Sequence, residues 1–382
     1  MLTLEREKNL IGLCSSLIRT RSYSGEEKQI VLQLQQIFKD KGWTDLHIDE
    51  FGSITVCFKG KREGRTLLFD SHVDTVPVTD PTLWKYDPFG GDIISNRIYG
   101  RGSSDMKGAL AAVIAAVECF IEDSQNDFAG KIVVSGAVHE ESFEGIASGS
   151  ISKRHRPDIV VIGEATSLNL ARGQRGRAEI VVETFGKPAH SANPEAGVNA
   201  VYKMIKLIEA INRLSVSRHP VLGHGILELT DIKSSPYPGL SVVPEYCRAT
   251  LDRRLLVGET KTNVTAPIEE LMRKFKSLDP DFDARVSYCF GREMCYTDAE
   301  IEAERFFPAW LYETDEEFLQ TAYIGLKKAG LDPEMTVYSF CTNGSHYAGE
   351  AGIKTLGFGP SRENQAHIDD EYVEISELRG AC

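Results

Sequence analysis

Five side chains of the kinds that bind metal ions occur in order along this chain, each shortly after an apolar stretch. They are His72, Asp105, Glu141, Glu164 and His367. Imidazole and carboxylate groups in this combination are common ligands of zinc and similar divalent ions. A further carboxylate, Glu140, directly precedes Glu141 and is suited to act as a general base. The set has the chemistry of a two-metal hydrolytic site.

Each of these residues also has a simple structural interpretation. His72 could be a hydrogen-bonded histidine at a strand end, Asp105 a helix N-cap, and the pair Glu140 and Glu141 an exposed acidic turn. Asp74 favours the metal site, because residues two apart on a strand face the same way. Its carboxylate could therefore accept a hydrogen bond from the second ring nitrogen of His72 and fix the tautomer.

The apolar segments before the ligands have the length of strands. Residues 66–69, 132–138 and 159–162 are short and mostly β-branched or apolar, which predicts buried strands of a mostly parallel sheet. Polar residues follow all three segments directly, and open α/β sheets bind ligands beyond the carboxyl ends of their strands. Helices are predicted at 26–38 and at 106–121, where Ser103, Ser104 and Asp105 are suited to cap the first turn. His139 could support the metal ligands from behind or lie on the surface, and the surface interpretation is favoured.

The pattern changes after Glu164. Strands at 178–185, 225–232 and 248–255 and a helix at 199–214 predict a small α+β unit. A helix then follows to Lys328, with Thr314 as N-cap and Glu317 completing a capping box, and short strands return at 336–340 and 355–358. We therefore predict an α/β catalytic domain with a mostly parallel sheet flanked by helices, built from residues 1–172 and 295–382. An inserted lid or dimerisation domain is predicted at 173–294.

Composition excludes several classes of protein. The chain has 382 residues and a formal net charge of -13, which argues against nucleic acid or an anionic membrane as a partner. Eight cysteines occur without CxxC spacing, so reduced thiols are expected. Because no signal peptide or membrane-spanning run is evident, we expect a cytoplasmic protein.

Six segments together resemble the di-zinc metallopeptidase family of acetylornithine deacetylase, succinyl-diaminopimelate desuccinylase, aminoacylase and carboxypeptidase G. They are SHVDTVP at 71–77, YGRGSSDMKG at 99–108, HEES at 139–142, GEAT at 163–166, GKPAHSANP at 186–194 and AHIDDE at 366–371. The resemblance covers nearly the whole chain. Within the family, the loop at 341–345 and the segment at 364–367 are most similar to the selenium-metabolism-linked hydrolases.

This resemblance implies a role for each candidate ligand. One zinc is bound by His72 and Glu164 and the other by Glu141 and His367, while Asp105 bridges the two and Glu140 is the general base. Two zinc ions per subunit are expected, with cobalt or manganese as possible substitutes. The resemblance also implies a homodimer in which His190 reaches the partner's active site and polarises the scissile carbonyl. The alternative is that His190 is a histidine on a surface loop.

Substrate contacts are implied in the same way. Arg175 and Arg254 are expected to bind a substrate carboxylate, which suits a planar guanidinium, although Arg253 competes with Arg254 for this role. The loop at 341–345, with Thr342, Asn343 and Gly344, corresponds to a substrate-facing loop. The alternatives are surface ion pairs for the arginines and an ordinary turn for the loop.

The expected function is hydrolysis of the amide bond in a small N-acyl amino acid or dipeptide with a free carboxylate. Hydrolysis of N-carbamoyl amino acids is the alternative, and a catalytically silent dimeric scaffold is a third possibility. Two positions depart from the family pattern, since Ala165 replaces a frequent proline and Ser241 a frequent asparagine. The second departure leaves the recognition of the acyl group open.

Overall fold

The computed structural model describes residues 2–382. Its α-helices are α1 Leu4–Ile18, α2 Lys28–Asp40, α3 Gly108–Ser124, α4 Ile146–His155, α5 Ala200–Ile211, α6 Lys261–Leu278, α7 Glu317–Lys328 and α8 Ile375–Ala381. Its strands are β1 Leu46–Ile48, β2 Ile54–Lys59, β3 Arg62–His72, β4 Asp92–Ile94, β5 Arg97–Tyr99, β6 Ala129–Ala137, β7 Ile159–Ile162, β8 Leu170–Gln174, β9 Gly176–Phe185, β10 Arg218–His219, β11 Gly223–His224, β12 Ile226–Ser235, β13 Tyr246–Leu255, β14 Asp283–Tyr288, β15 Phe290–Met294, β16 Glu300–Glu304, β17 Phe306–Phe307, β18 Trp310–Leu311, β19 Met335–Tyr338, β20 Lys354–Gly357 and β21 Tyr372–Glu374. Short 3-10 turns lie at Pro81–Leu83, Pro194–Ala196 and Glu363–Gln365, and π-helical turns at Ser103–Lys107 and Ser345–Glu350. Within this described range, no helix is both long and apolar enough to cross a membrane.

The chain divides into two compact units. The first runs to Gln174 and resumes at Arg292–Glu302 and Trp310–Cys382, and the second comprises Arg175–Gly291 and Ala303–Ala309. Residues 303–309, which the sequence analysis placed in the catalytic domain, belong to the second unit because β17 pairs with β9. The role of the second unit as a lid or dimerisation domain stays a prediction.

The first unit is built on a nine-stranded sheet. Its strand order is β1-β2-β6-β3-β7-β20-β8-β18, with β19 also paired to β8. At its centre β3 runs parallel to both β6 and β7, and β20 runs parallel to β7. Apolar side chains from these strands, including Leu68, Val133 and Val160, are fully buried in the core. The predicted α/β class, with a mostly parallel sheet flanked by helices, is confirmed.

The second unit has its own core. Strands β12, β13, β9 and β14 form an antiparallel sheet in that order, and β17 also pairs with β9. Helices α5 and α6 contribute Met204, Leu207 and Ile268 to a buried cluster that includes Ile180 and Leu251 of the sheet. The alternation of buried and exposed residues along β13 explains why the sequence indicates a strand there.

Two predicted helix starts are wrong. Helix α7 begins at Glu317 with Glu316 as its N-cap residue, so Thr314 does not cap it. Helix α3 begins at Gly108 after the π-helical turn, and no side chain caps its first turn. Within that turn Asp105 has non-helical backbone angles, with φ −130° and ψ 93°. The simple interpretation of Asp105 as an N-cap is therefore excluded.

Candidate metal centre

The candidate ligands lie at the carboxyl ends of three neighbouring parallel strands and on two loops. His72 is the last residue of β3, Glu140 and Glu141 follow β6, and Glu164 follows β7. Because β3 lies between β6 and β7, in parallel register with both, these strand ends meet at one edge of the sheet. The turn before α3 adds Asp105, and the loop after Glu363–Gln365 adds His367.

Asp105 lies at the centre of the group. Its Oδ1 is 2.9 Å from Nε2 of His72, and its Oδ2 is 3.1 Å from Nε2 of His367. The same nitrogen of His72 is 3.4 Å from Oε1 of Glu164, and that of His367 is 3.1 Å from Oε2 of Glu141. One carboxylate thus faces two histidines, each with a second carboxylate beside it. This arrangement is suited to a bridging ligand between two ions.

Glu140 stands on the His72 side of the group. Its Oε2 is 3.9 Å from Nε2 of His72, and with Glu164 these side chains form one of two groups of potential ligand atoms within 4.8 Å of one another. The other group comprises His72, Asp105 and Glu141. Among residues 2–382, the Oε1 atom of Glu140 is buried and has no hydrogen-bond partner. The general-base candidate thus retains one uncommitted oxygen.

The electrostatics of the site fit bound cations. Burial raises the pKa of Glu140 well above its usual range, and it raises the pKa of Glu141 to about 7 and that of Glu164 in the same direction. Burial alone would lower the pKa of His72, but the neighbouring carboxylates of Asp105, Asp74 and Glu164 raise it instead. The carboxylates outnumber the histidines, so divalent ions would relieve their mutual repulsion. Mixed imidazole and carboxylate donors suit zinc, cobalt and manganese alike.

The contacts of Asp74 differ from the predicted ones. The Nδ1–H of His72 donates to the main-chain oxygen of Asp74 at 2.9 Å, while the nearest carboxylate oxygen is 3.6 Å away. That carboxylate is engaged elsewhere, because Oδ1 accepts the N–H of Glu140 and Oδ2 accepts the N–H of Glu141, each at 3.1 Å. Ser24 also donates its hydroxyl to Oδ2 at 2.7 Å. Asp74 therefore holds the backbone of the base and of one ligand.

Sequence reasoning missed Glu371, which positions Asp105. Its fully buried carboxylate accepts the N–H of Ser104 at 2.8 Å and of Asp105 at 3.1 Å through Oε1. Its other oxygen pairs with Arg101 at 2.7 Å. The signal was present in the AHIDDE segment, but nothing local connects that segment with residue 105.

His139 is buried, so its interpretation as a surface residue is wrong. Its side chain is 1% exposed, and its backbone N–H donates to Oε1 of Glu27 at 3.2 Å. Its ring nitrogen Nδ1 lies 3.2 Å from the hydroxyl of Ser142. His139 also has a positive φ of 56°, two residues after the end of β6.

The predicted substrate loop is more than an ordinary turn. Thr342 and Asn343 are buried, and the hydroxyl of Thr342 donates to Oε1 of Gln174 at 2.6 Å. The N–H of Gly344 donates back to the same hydroxyl at 3.0 Å. A side chain on Gly344 would meet the indole of Trp310, since an added Cβ would lie 2.5 Å from Nε1. These contacts use the polar groups of the loop within the fold.

Within the second unit, His190 is exposed in the loop after β9. Its Nδ1 accepts the N–H of Ala192 at 3.0 Å, and its backbone bridges to that of Val242. The other edge of the ring is therefore available. Its predicted role in a partner's site remains a prediction.

The arginines of the second unit differ in accessibility. Arg253 is buried and paired with Glu259, which leaves Arg254 as the more accessible of the two neighbours. Arg254 pairs with Asp252 at 2.9 Å, and Arg175 donates to the main-chain oxygen of His224 at 3.2 Å. Their roles as substrate handles remain predictions.

A mostly parallel α/β unit that gathers histidines and carboxylates at its strand ends is typical of metal-dependent hydrolases. The model of peptidase family M20/M25/M40 matches residues 68–382, and the chain belongs to this family. It is 31% identical to the uncharacterized protein YgeY of Escherichia coli over 388 aligned residues, which cover 99% of this chain and 94% of that protein. It is 26% identical to succinyl-diaminopimelate desuccinylase 2 of Ruegeria sp., with 96% and 91% covered.

The fold is also that of solved structures. Aminopeptidase PepT from Bacillus cereus superposes with a TM-score of 0.75 at 19% identity, covering 98% of this chain and 96% of that one. The predicted family resemblance is confirmed. The chain is a metal-dependent hydrolase that acts on amide or peptide bonds of small molecules, as the sequence analysis predicted at this level.

Proposed function

We propose that this protein is a di-zinc hydrolase that cleaves the amide bond of a small N-acyl amino acid or dipeptide with a free carboxylate. The observation that carries the proposal is the position of Asp105, whose two oxygens face His72 and His367 at 2.9 Å and 3.1 Å. Glu164 lies beside the first histidine and Glu141 beside the second, so His72 with Glu164 would hold one ion, His367 with Glu141 would hold the other, and Asp105 would be shared between them.

Glu140 is the proposed general base. Bound divalent ions supply Lewis-acid polarisation of the scissile carbonyl and make the attacking water more acidic. Glu140 carries a buried oxygen without a hydrogen-bond partner among residues 2–382. This oxygen accepts a proton from the attacking water and later delivers it to the leaving amine. Asp74 accepts the backbone N–H of Glu140, and this hydrogen bond keeps the loop that carries the base in place during both proton transfers.

The proposal includes a homodimer in which the second unit supplies His190 to the partner's site. The exposed ring of His190 supports this role, because a residue that acts on another subunit must be accessible on its own. An imidazole donor to the developing oxyanion typically contributes about 100- to 1,000-fold in rate. Arg175 and Arg254 are the proposed carboxylate handles. Thr342, Asn343 and Gly344 shape the substrate side of the centre.

A complementation experiment tests the shared site. Glu140→Gln and His190→Ala homodimers are each expected to be inactive. After unfolding and refolding together, mixed dimers contain one site with an intact Glu140 and an intact partner's His190, so activity should reappear. If the mixture stays as inactive as its parents while size-exclusion chromatography shows dimers, then His190 does not act across subunits.

The chemistry itself is tested by amine release from a panel of substrates. Metal-free protein is reloaded with zinc, cobalt or manganese and given N-acetyl, N-succinyl and N-carbamoyl amino acids and dipeptides. Turnover that a chelator abolishes is expected, and the panel distinguishes an N-acyl from an N-carbamoyl substrate. Glu140→Gln should bind metal normally and lose about 100- to 10,000-fold in kcat.

The matched control is Glu144→Gln, the same substitution in the same loop. It should retain turnover because Glu144 is not among the grouped ligands. A Glu140→Gln variant with a rate near that of the wild type would overturn the assignment of the base. A metal-loaded wild type that releases no amine from any substrate would overturn the proposed substrate class.

A further inference from the structure

A buried carboxylate outside the ligand set lies directly behind the metal centre. Asp70 is on β3, two residues before His72, and its side chain is 1% exposed. Its Oδ1 accepts hydrogen bonds from the hydroxyls of Ser135 at 2.8 Å and Tyr347 at 2.9 Å. Its Oδ2 accepts the side-chain N–H of Asn343 at 2.9 Å. Three neutral donors thus converge on one buried anion.

Asn343 connects Asp70 with the loop that carries the general base. Its Oδ1 accepts the backbone N–H of Gly145 at 2.8 Å. Gly145 is the N-cap of α4 and has a positive φ of 91°, so it marks the end of the loop that begins after β6 and carries Glu140 and Glu141. The two ends of this loop are therefore held by different side chains, Asp74 near Glu140 and Asn343 at Gly145.

The same residue also fixes a third strand end. The main-chain oxygen of Asp70 accepts the N–H of Gly163 at 2.9 Å, directly before Glu164. Through its backbone and its side chain, Asp70 connects the ends of β3 and β7 with the loop that follows β6. A displacement of any one of these elements would change distances between ligands.

We propose that Asp70 and Asn343 are positioning residues for the hydrolytic centre. Together with the N–H of Gly145 they form a hydrogen-bonded chain, here named the Asp70 relay, that fixes the loop of Glu140 and Glu141 relative to His72. The inference rests on the proposed role of Glu140 as base. A shift of about 1 Å in a catalytic group can cost about 100-fold in rate, so the relay contributes to kcat by fixing the position of Glu140.

The order of donors and acceptors along the Asp70 relay can be tested by exchanging its two side chains. Asp70 only accepts, whereas Asn343 donates at one end and accepts at the other. Asp70→Asn brings an amide group to the side-chain N–H of Asn343, and Asn343→Asp brings two carboxylates together. The double variant Asp70→Asn with Asn343→Asp restores every bond, because the new carboxylate accepts from both the new amide and Gly145.

Each single variant is expected to lose about 10- to 100-fold in kcat, with a much smaller change in KM, because the loop of the base shifts. The exchanged double variant should recover most of this loss. Tyr347→Phe is the matched control, since it removes one donor to Oδ1 of Asp70 and leaves the relay intact. Its kcat should stay within about twofold of the wild type.

Amide hydrogen exchange of the peptide covering residues 139–146 gives a readout that needs no substrate. Exchange should accelerate in both single variants and return to the wild-type rate in the double variant. Unchanged exchange and kcat in the single variants would overturn the inference. So would a double variant as impaired as the single ones, because the contribution would then come from a charge at position 70 and not from the relay.

A wrong proposed function would give a different experimental result from a wrong inference about the Asp70 relay. In that case the metal-loaded wild type turns over no substrate in the panel, while the exchange experiment still shows whether the relay holds the loop.

Discussion

The carboxylate of Asp74 makes two backbone contacts that an asparagine cannot reproduce. Oδ1 accepts the N–H of Glu140 and Oδ2 that of Glu141, both at 3.1 Å, and the side chain is fully buried. In Asp74→Asn, the single amide oxygen can accept only one of these N–H groups. The amide nitrogen then faces the other one, donor against donor.

The size of the effect follows from these contacts. A hydrogen bond to a charged group contributes about 1.5–3 kcal/mol, and a buried N–H without an acceptor costs about 1–3 kcal/mol. Because both estimates describe the loss of the same contact, we expect a total near 3 kcal/mol. That corresponds to more than about 100-fold in an equilibrium constant. If the loop stays in place, the loss appears in the free energy of unfolding; if the loop detaches, it appears in kcat.

Urea unfolding of the metal-free protein and kcat of the metal-loaded protein together measure both forms of the loss. Ser24→Ala is the matched control, because it removes the hydroxyl that donates to Oδ2 of Asp74 at 2.7 Å and leaves both backbone contacts intact. It should cost about 1.5 kcal/mol, the lower end for a hydrogen bond to a charged group, because it leaves no buried N–H without an acceptor. The reasoning is refuted if Asp74→Asn changes neither quantity, or if Ser24→Ala changes both to the same extent.

Three further predictions concern stability. Glu371→Gln breaks a buried ion pair with Arg101 and should cost about 3–5 kcal/mol in urea unfolding, whereas a double variant with Arg101→Met should be closer to the wild type. Burial lowers the pKa of His155 to about 4 from its usual 6.5, so unfolding takes up a proton between these values and stability falls as pH drops from 6.5 towards 4. The free energy of unfolding should therefore be lower at pH 5 than at pH 8, and urea unfolding of His155→Gln should lack this difference. Zinc at about 100 times its Kd should stabilise the wild type by about 2.7 kcal/mol, and calorimetry should find this shift retained in Glu140→Gln and diminished in Asp105→Ala.

Sequence alone identified the strand ends that carry the ligands. Strand β7 has the predicted bounds, β3 extends beyond its predicted segment at both ends, and β6 begins earlier than predicted and ends one residue before the predicted end. The reason is that buried parallel strands are almost continuously apolar, so the polar residues that follow each one are conspicuous. His72, Glu140 and Glu164 lie within three residues of the ends of the predicted apolar segments. A functional residue at the end of a buried strand is therefore the kind that a sequence reveals best.

Local patterns failed where tertiary contacts competed with them. Ser103, Ser104 and Asp105 are good capping residues, yet the carboxylate of Asp105 faces two histidines and its N–H is bound by Glu371, 266 residues away. Thr314 and Glu317 form a capping-box pattern, but the helix begins only at Glu317. Capping contributes about 1 kcal/mol, and at Asp105 the contacts with distant residues override it. The local sequence shows which residues prefer to cap a helix, but it does not show the distant residues that contact them in the fold.

The same limit explains why residue type alone could not assign Asn343. The family resemblance placed it on a substrate-facing loop, where an amide would be a plausible contact. In the fold, its donor goes to Asp70 and its acceptor to Gly145, partners that are 273 and 198 residues away in the chain. Glu140 differs from Asn343 in its hydrogen bonding, because one of its buried oxygens has no hydrogen-bond partner among residues 2–382. Buried polar atoms are normally satisfied, so an unsatisfied one in a cluster of ligands indicates chemistry, whereas a satisfied one indicates support. Whether a buried polar atom is satisfied depends on contacts between residues far apart in the sequence, and only the folded structure shows those contacts.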